Sequence, residues 1–214
     1  MKKKIIIFLS IMAIVGIMLL LLYEYQWYQT KSEMAYKPVI YLYPETEQVT
    51  SVKLDVNGEL TCTYPAYKDG WKVTACPDGT LIDKNGQTYN YLYYEAALST
   101  EFDFTNGYCV KGEDTTEFLE KILPQLGLNR QEANEFIVYW LPLMQNNEYN
   151  LISFQTERYE DSVGLNIYPA PETVIRVFMA YKPVDRAIET YSQNIKTPER
   201  NGFTVVEWGG TCLD

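Results

Sequence analysis

The chain has no histidine among its 214 residues. That absence excludes Ser-His-Asp and Cys-His catalysis, His-ligated zinc and the histidine pH switch. Acid–base chemistry, if any, falls to carboxylates, tyrosines, lysines or a cysteine. Positive charge is also scarce, with 18 basic against 28 acidic groups. No glycine-rich phosphate loop is present, since Val110-Lys111-Gly112 ahead of Asp114 lacks the required spacing. The acidic turns Asp78-Gly79, Asp83-Lys84-Asn85-Gly86 and Glu160-Asp161 do not amount to a calcium loop. No metal site and no cofactor are expected.

Charge is wholly missing from Ile5 to Tyr23, a 19-residue run behind Lys2, Lys3 and Lys4, interrupted only by Ser10 and Gly16. As a helix it would span just under ~30 Å, close to the hydrocarbon thickness of a bilayer. A cleaved signal peptide also begins this way, but its apolar core is shorter and ends in small residues. Here the exit carries Tyr23, Tyr25, Trp27 and Tyr28, which suit an interfacial belt. A buried core helix is the remaining alternative. No cysteine stands in or just after the run, which argues against a lipoprotein. The expectation is therefore an uncleaved signal-anchor over residues 1–23, in the lipid bilayer through 5–23, with a cytoplasmic N-terminus. A tether over 24–36 and one extracytoplasmic domain over 37–214 follow.

Beyond Tyr23 the balance becomes 15 basic against 28 acidic groups, because three lysines are spent before Ile5. So acidic a surface repels phosphate backbones, and no nucleic-acid partner is expected.

The exported part reads as α+β: mainly antiparallel sheet with an inserted αα-hairpin. Pro38–Pro44 is an apolar strand bounded by prolines. Val52, Leu54 and Val56 alternate with polar residues, then Leu60, Cys62 and Tyr64 do the same across Asn57-Gly58, a hairpin dipeptide. Trp71–Cys76 follows the Asp69-Gly70 turn. Tyr89–Ala96 has Tyr91, Tyr93 and Glu95 on one face and Leu92, Tyr94 and Ala96 on the other. Two capping-box pairs, Asp114/Glu117 and Asn129/Glu132, open helices with apolar stripes, the first ending near Gly127 and the second at Pro142. Leu151–Thr156, Thr173–Tyr181 and Phe203–Trp208 are later strands, the last terminated by Gly209-Gly210. Asp185–Ser192 has room for one or two helical turns.

Four cysteines, Cys62, Cys76, Cys109 and Cys212, allow three pairings in an oxidising exterior. Cys62 and Cys76 flank a hairpin centred at Asp69-Gly70, which places them opposite each other, leaving Cys109 for Cys212. Four reduced thiols are the alternative.

Four strings, Lys37–Glu45, Gly70–Gly79, Phe136–Pro142 and Thr197–Gly210, resemble an uncharacterised bacterial family of membrane-anchored or exported proteins. The resemblance implies one coherent domain after the tether and carries no activity with it.

For chemistry, Glu95 and Glu207 stand out as carboxylates at aromatic strand ends. Brought together they would resemble the acid and base, or acid and nucleophile, of a sugar hydrolase. Glu45, after Tyr41 and Tyr43, is a third carboxylate. Glu45, Tyr64, Tyr67, Trp71, Tyr91, Tyr93 and Trp208 are the candidate ligand contacts, since aromatics stack on sugars and grip peptides, although the same side chains suit sheet packing. The expected function is a cell-surface module binding envelope glycan, peptide or protein. The alternative is a carboxylate-based envelope hydrolase, a glycosidase-like enzyme.

An anchored, outward-facing chain makes a direct prediction. In intact cells the full-length product should sediment with membranes, and external protease should remove its C-terminal part. Recovery in the soluble cytosolic fraction, or a protease-sheltered C-terminus, contradicts the anchor.

Overall fold

A computed structural model describes residues 12–22 and 32–213 of the chain. Residues 12–22 form a helix, α1, which belongs to a compact unit separate from the one beginning at Glu33. No helix among the described residues is long and apolar enough to cross a membrane. The expected span over 5–23 lies partly outside the described residues, as does most of the expected tether.

The second unit is α+β and mostly antiparallel. Its strands are β1 (Glu33–Tyr43), β2 (Gln48–Val56), β3 (Gly58–Tyr64), β4 (Trp71–Ala75), β5 (Leu81–Ile82), β6 (Thr88–Tyr89), β7 (Leu92–Leu98) and β8 (Tyr108–Lys111). After them come α2 (Thr115–Ile122), α3 (Arg130–Met144), β9 (Tyr149–Phe154), α4 (Thr156–Ser162), β10 (Val163–Tyr168), β11 (Thr173–Val184) and β12 (Thr204–Cys212). One seven-stranded sheet runs β3-β7-β1-β12-β11-β9-β8, and one five-stranded sheet runs β10-β2-β4-β5-β6. Within them β11 and β12 pair in parallel; the other pairs are antiparallel.

Period-two alternation builds two cores from the larger sheet. Val39 and Tyr41 of β1, Ile175 and Val177 of β11, and Val206 and Trp208 of β12 pack under α2 and α3, with Phe136 and Trp140. The intervening residues, such as Ile40, Phe178 and Val205, face the smaller sheet and meet Val52, Trp71 and Val73. α2 and α3, the large sheet and the small sheet therefore form three layers.

Asn57-Gly58 does not make the expected hairpin. β2 pairs with β4 and β10 in the small sheet, whereas β3 pairs with β7 in the large one. Gly58 is the point at which the chain changes sheets. Its φ is 151°, and a Cβ there would lie 2.0 Å from the Ala97 carbonyl oxygen. Only glycine admits that crossing. The hairpin expected about Asp69-Gly70 fails for the same reason, since β3 and β4 lie in different sheets.

Other boundaries shift with identifiable causes. β1 begins at Glu33 rather than beyond Lys37. The Asp114 side chain caps nothing; a 3-10 turn over Gly112–Asp114 leads into α2 instead. The second capping box forms as expected, with Asn129 accepting from the Glu132 N–H and Glu132 accepting from the Asn129 N–H. α3 runs through Pro142 to Met144. The carbonyl that Pro142 leaves unpaired is that of Val138, a residue 67% exposed, so water can satisfy it. β12 passes through Gly209-Gly210 instead of ending there; a Cβ at Gly210 would lie 2.7 Å from the Trp140 ring, so the glycine makes room for that ring and does not mark a strand end. Asp185–Ser192 is not helical. α4 and β10 were not expected; Gly164, Asn166 and the nearby prolines mask their pattern.

Gly58→Ala is predicted to cost at least about 2 kcal/mol of unfolding free energy, from strain and from contact with Ala97. Urea denaturation measures it, and an unchanged midpoint would rule out the close crossing.

Candidate functional site

The large sheet sets the fate of the two expected catalytic carboxylates. Glu207 is the direct neighbour of Arg176 across the parallel β11–β12 pair. Both point between the sheets, and Glu207 is 0% exposed. Arg176 donates through Nε to Glu207 Oε2 and through Nη1 to the Val163 carbonyl at 2.7 Å. Tyr94 donates to Glu207 Oε1 at 2.6 Å, and the Tyr159 hydroxyl lies 3.2 Å from the same oxygen. The two tyrosine hydroxyls are 2.5 Å apart. The Arg176 guanidinium also covers the Tyr159 ring at 4.7 Å, and that ring stacks on Phe178.

Electrostatics follow from burial. Desolvation, then the Glu207 charge, pushes both Tyr94 and Tyr159 well above an ordinary phenol. Burial alone would lower the Arg176 value, but the facing Glu207 carboxylate raises it overall. The cluster is a closed ion pair between protonated tyrosines. Glu207 is not open to a substrate.

Glu95 follows Tyr94 in β7, so it points to the opposite face of the large sheet, on the side of α3. Glu95 and Glu207 therefore do not share a cleft, and the hydrolase layout does not assemble from them.

The expected ligand contacts are dispersed. Tyr91 and Tyr93 come together, but around the chain's own Lys37. Lys37, in a left-handed conformation with φ 59°, places Nζ 4.9 Å from the Tyr91 ring, 5.3 Å from Tyr93 and 6.0 Å from Tyr139. It also donates to the Tyr91 hydroxyl at 3.3 Å. Tyr67, in the loop before β4, and Trp71, at its start, form an edge-to-face pair, with the Tyr67 hydroxyl accepting from the Leu54 N–H of β2 and the Trp71 indole donating to Pro65 O. Trp208 is fully buried under α3. Tyr64 is 61% exposed, against Tyr89, and Glu45 is exposed in the bend after β1.

No two of the four cysteines stand at disulfide distance, so neither expected pairing is formed in this structure. Cys62 sits opposite Glu95 in the β3–β7 pair, and Cys76 follows β4 in the other sheet. Cys109 in β8 accepts from the Ile188 N–H, and Cys212 ends β12 opposite Tyr181. No group of three or more Cys, Asp or Glu side chains able to hold a metal occurs among the described residues. Asp78 and Asp83 are turned onto the backbone N–H groups of their own loops.

One concave feature among the described residues was not read from the sequence. A cleft of about 490 Å³ opens beside β11, between α4 with the 103–106 loop on one side and the 193–198 segment on the other. Leu126, Phe154, Ile175, Ile195 and Pro198 supply its apolar surface. Two of its polar side chains, Gln155 and Gln193, are held in place by hydrogen bonds. Gln155 receives the Asp103 N–H at 3.2 Å and donates to Ser153 Oγ at 2.9 Å. Gln193 takes the place of a neighbouring strand, accepting from the Phe154 N–H at 2.8 Å and donating to its carbonyl at 2.9 Å. The opposite end of the 193–203 segment is clamped by Arg200 on buried Glu132, at 2.7 Å to each carboxylate oxygen. These partners are 39, 52 and 68 residues apart in sequence, so no local pattern announces them.

No family model, curated protein or solved structure matches the chain.

Two outcomes test the buried cluster. Arg176→Met leaves Glu207 charged and buried, and is predicted to cost about 3–5 kcal/mol by chemical denaturation; the Arg176→Met/Glu207→Leu double variant should recover much of it. A double-variant loss equal to the sum of the Arg176→Met and Glu207→Leu single losses would show that the residues do not interact. The tyrosines set a pH dependence. Their folded values are raised, so the unfolded chain loses these protons first, from a pH near its ordinary value of 10.0. Stability is whole below that pH and falls as pH rises beyond it, by about 1.4 kcal/mol per pH unit for each tyrosine. Tyr94→Phe should flatten the alkaline slope; an unaltered slope refutes the assignment.

Proposed function

We propose that the chain is a membrane-tethered binding module of the cell envelope, and that the cleft beside β11 is where it holds its ligand. One observation carries this reading. The cleft combines apolar surface with polar side chains held in place by buried hydrogen bonds, the arrangement by which a pocket orients a ligand. The carboxylate with the most distinctive environment, Glu207, is spent on internal structure. Binding needs neither a free acid nor a free base. A role without turnover is consistent with that disposition.

The address rests on the uncharged run behind three lysines, and the resemblance of four strings to an exported family supports it. An acidic module at the envelope would meet glycan, peptide or protein, and the cleft volume suits a short segment of any of these.

The test is a ligand panel on the full-length chain in detergent, read as thermal stability. Wall glycan fragments, short peptides and purified envelope proteins form the panel. A cleft ligand at a hundredfold excess over its Kd should raise Tm by about 5–10 °C. Val174→Arg, which fills the cleft from an exposed position, should abolish that shift while leaving the unliganded Tm close to the parent value. No shift from any member of the panel overturns the reading.

A further inference from the structure

The geometry points to an extended polypeptide carrying a basic side chain as the occupant of this cleft, held by addition as a strand to the edge of β11; this rests on the binding reading above and names its ligand class. The row beside β11 is filled by β9 from Val184 to Met179. It is vacated where β9 ends. Gln155 donates its N–H to the Phe178 carbonyl at 2.8 Å, and the chain then turns into α4, leaving Thr156 Oγ1 on the Arg176 carbonyl at 3.3 Å. Beyond that point the row is the cleft itself.

The alternation of β11 fixes what the vacated row contains. Tyr181 turns its carbonyl toward β12, where it receives Leu213 N–H, while Phe178 turns its carbonyl the other way. Even-numbered residues therefore present their backbone groups away from β12. The Val174 N–H and carbonyl and the Arg176 N–H have no hydrogen-bond partner among the described residues, and both residues line the cleft. Donor, acceptor and donor at strand spacing match a peptide backbone in the extended state, which is how sheet edges recruit a strand. A sugar offers hydroxyls without that fixed repeat.

Charge selects the side chain. Glu157 and Glu160 are one turn apart on α4, both exposed and both on the cleft wall. Neither has an ion-pair partner among the described residues, whereas Asp103 faces Arg158 at 3.9 Å. An extended segment in the β9 row would run past this wall, and a lysine or arginine there meets two carboxylates. Exposed Lys196 on the 193–198 bank is the opposing cation, so the cleft's charges outside ion pairs among the described residues are two acidic against one basic.

Proline supplies a selective test. Val174→Pro removes the outward N–H and leaves the β12 side of the ladder intact, a substitution that sheet edges accept. A phage-displayed library of random seven-residue peptides would be panned on the full-length chain in detergent. The best binder would be synthesised, both unmodified and with alternate backbone nitrogens methylated. Enrichment of sequences with a basic residue is expected, with at least tenfold weaker binding to Val174→Pro and at least tenfold weaker binding of the methylated peptide. Glu157→Gln/Glu160→Gln should remove the preference for basic residues. The methylated peptide reports on the mechanism even if the proline variant folds poorly. Absence of enrichment, or affinities indifferent to both changes, overturns strand addition. Stabilisation by an N-acetylglucosamine oligosaccharide without peptide enrichment overturns strand addition alone and leaves the binding module standing.

Discussion

The contact between Arg176 and Glu207 is the constraint around which the domain is organised. It joins neighbouring strands of the large sheet, reaches β10 of the small sheet through Val163, and collects a hydroxyl from β7 and another from α4. Removing two charges from water costs several kcal/mol each, and only close geometry with further hydrogen bonds offsets it. The two tyrosines and the Val163 carbonyl supply those bonds. The compensation is incomplete, because Arg176 Nη2 is buried with no partner among the described residues. A wholly apolar junction would avoid that penalty. What the polar one contributes is position: a slip of one residue between β11 and β12 would send one charge of the pair to the helix side, so register, strand orientation and the seat of α4 are set together.

That seat has a consequence for the cleft. α4 is drawn inward by Tyr159, so β9 must leave its row beside β11 at Gln155. On the helix side the 193–203 segment is held away from the same row by Gln193 on Phe154 and by Arg200 on Glu132. Two restraints of different origin thus keep the two banks apart while the strand edge between them stays unpaired. The buried ion pair and the proposed ligand row are connected through one short helix.

Among the described residues the large aromatic side chains serve chiefly to pack layers. Tyr41, Tyr94, Tyr159, Tyr181, Trp140 and Trp208 are among the largest fully buried side chains. Where three rings do gather at the surface, Lys37 already occupies their faces, held there by a bulge in β1. Aromatic strands and binding platforms have the same composition, and burial separates them.

The sequence by itself determined the α+β class, most strand positions, the Asn129 capping box and the two faces of β7, because each follows from near neighbours: side-chain alternation, helical stripes and hydrogen bonds three residues apart. It also showed that a histidine-based site is excluded. Tertiary structure alone decided that Asn57-Gly58 switches sheets instead of reversing the chain, that Glu95 and Glu207 lie on opposite faces, and that a cleft opens beside β11. A turn dipeptide specifies local backbone angles but not which sheet takes the strand that follows. A carboxylate's neighbours in sequence do not reveal which face its strand will present, since that depends on strand order. The cleft exists where a strand leaves its row, and the groups bordering it meet across 39 to 68 residues of chain. Only the packed layers bring them within reach.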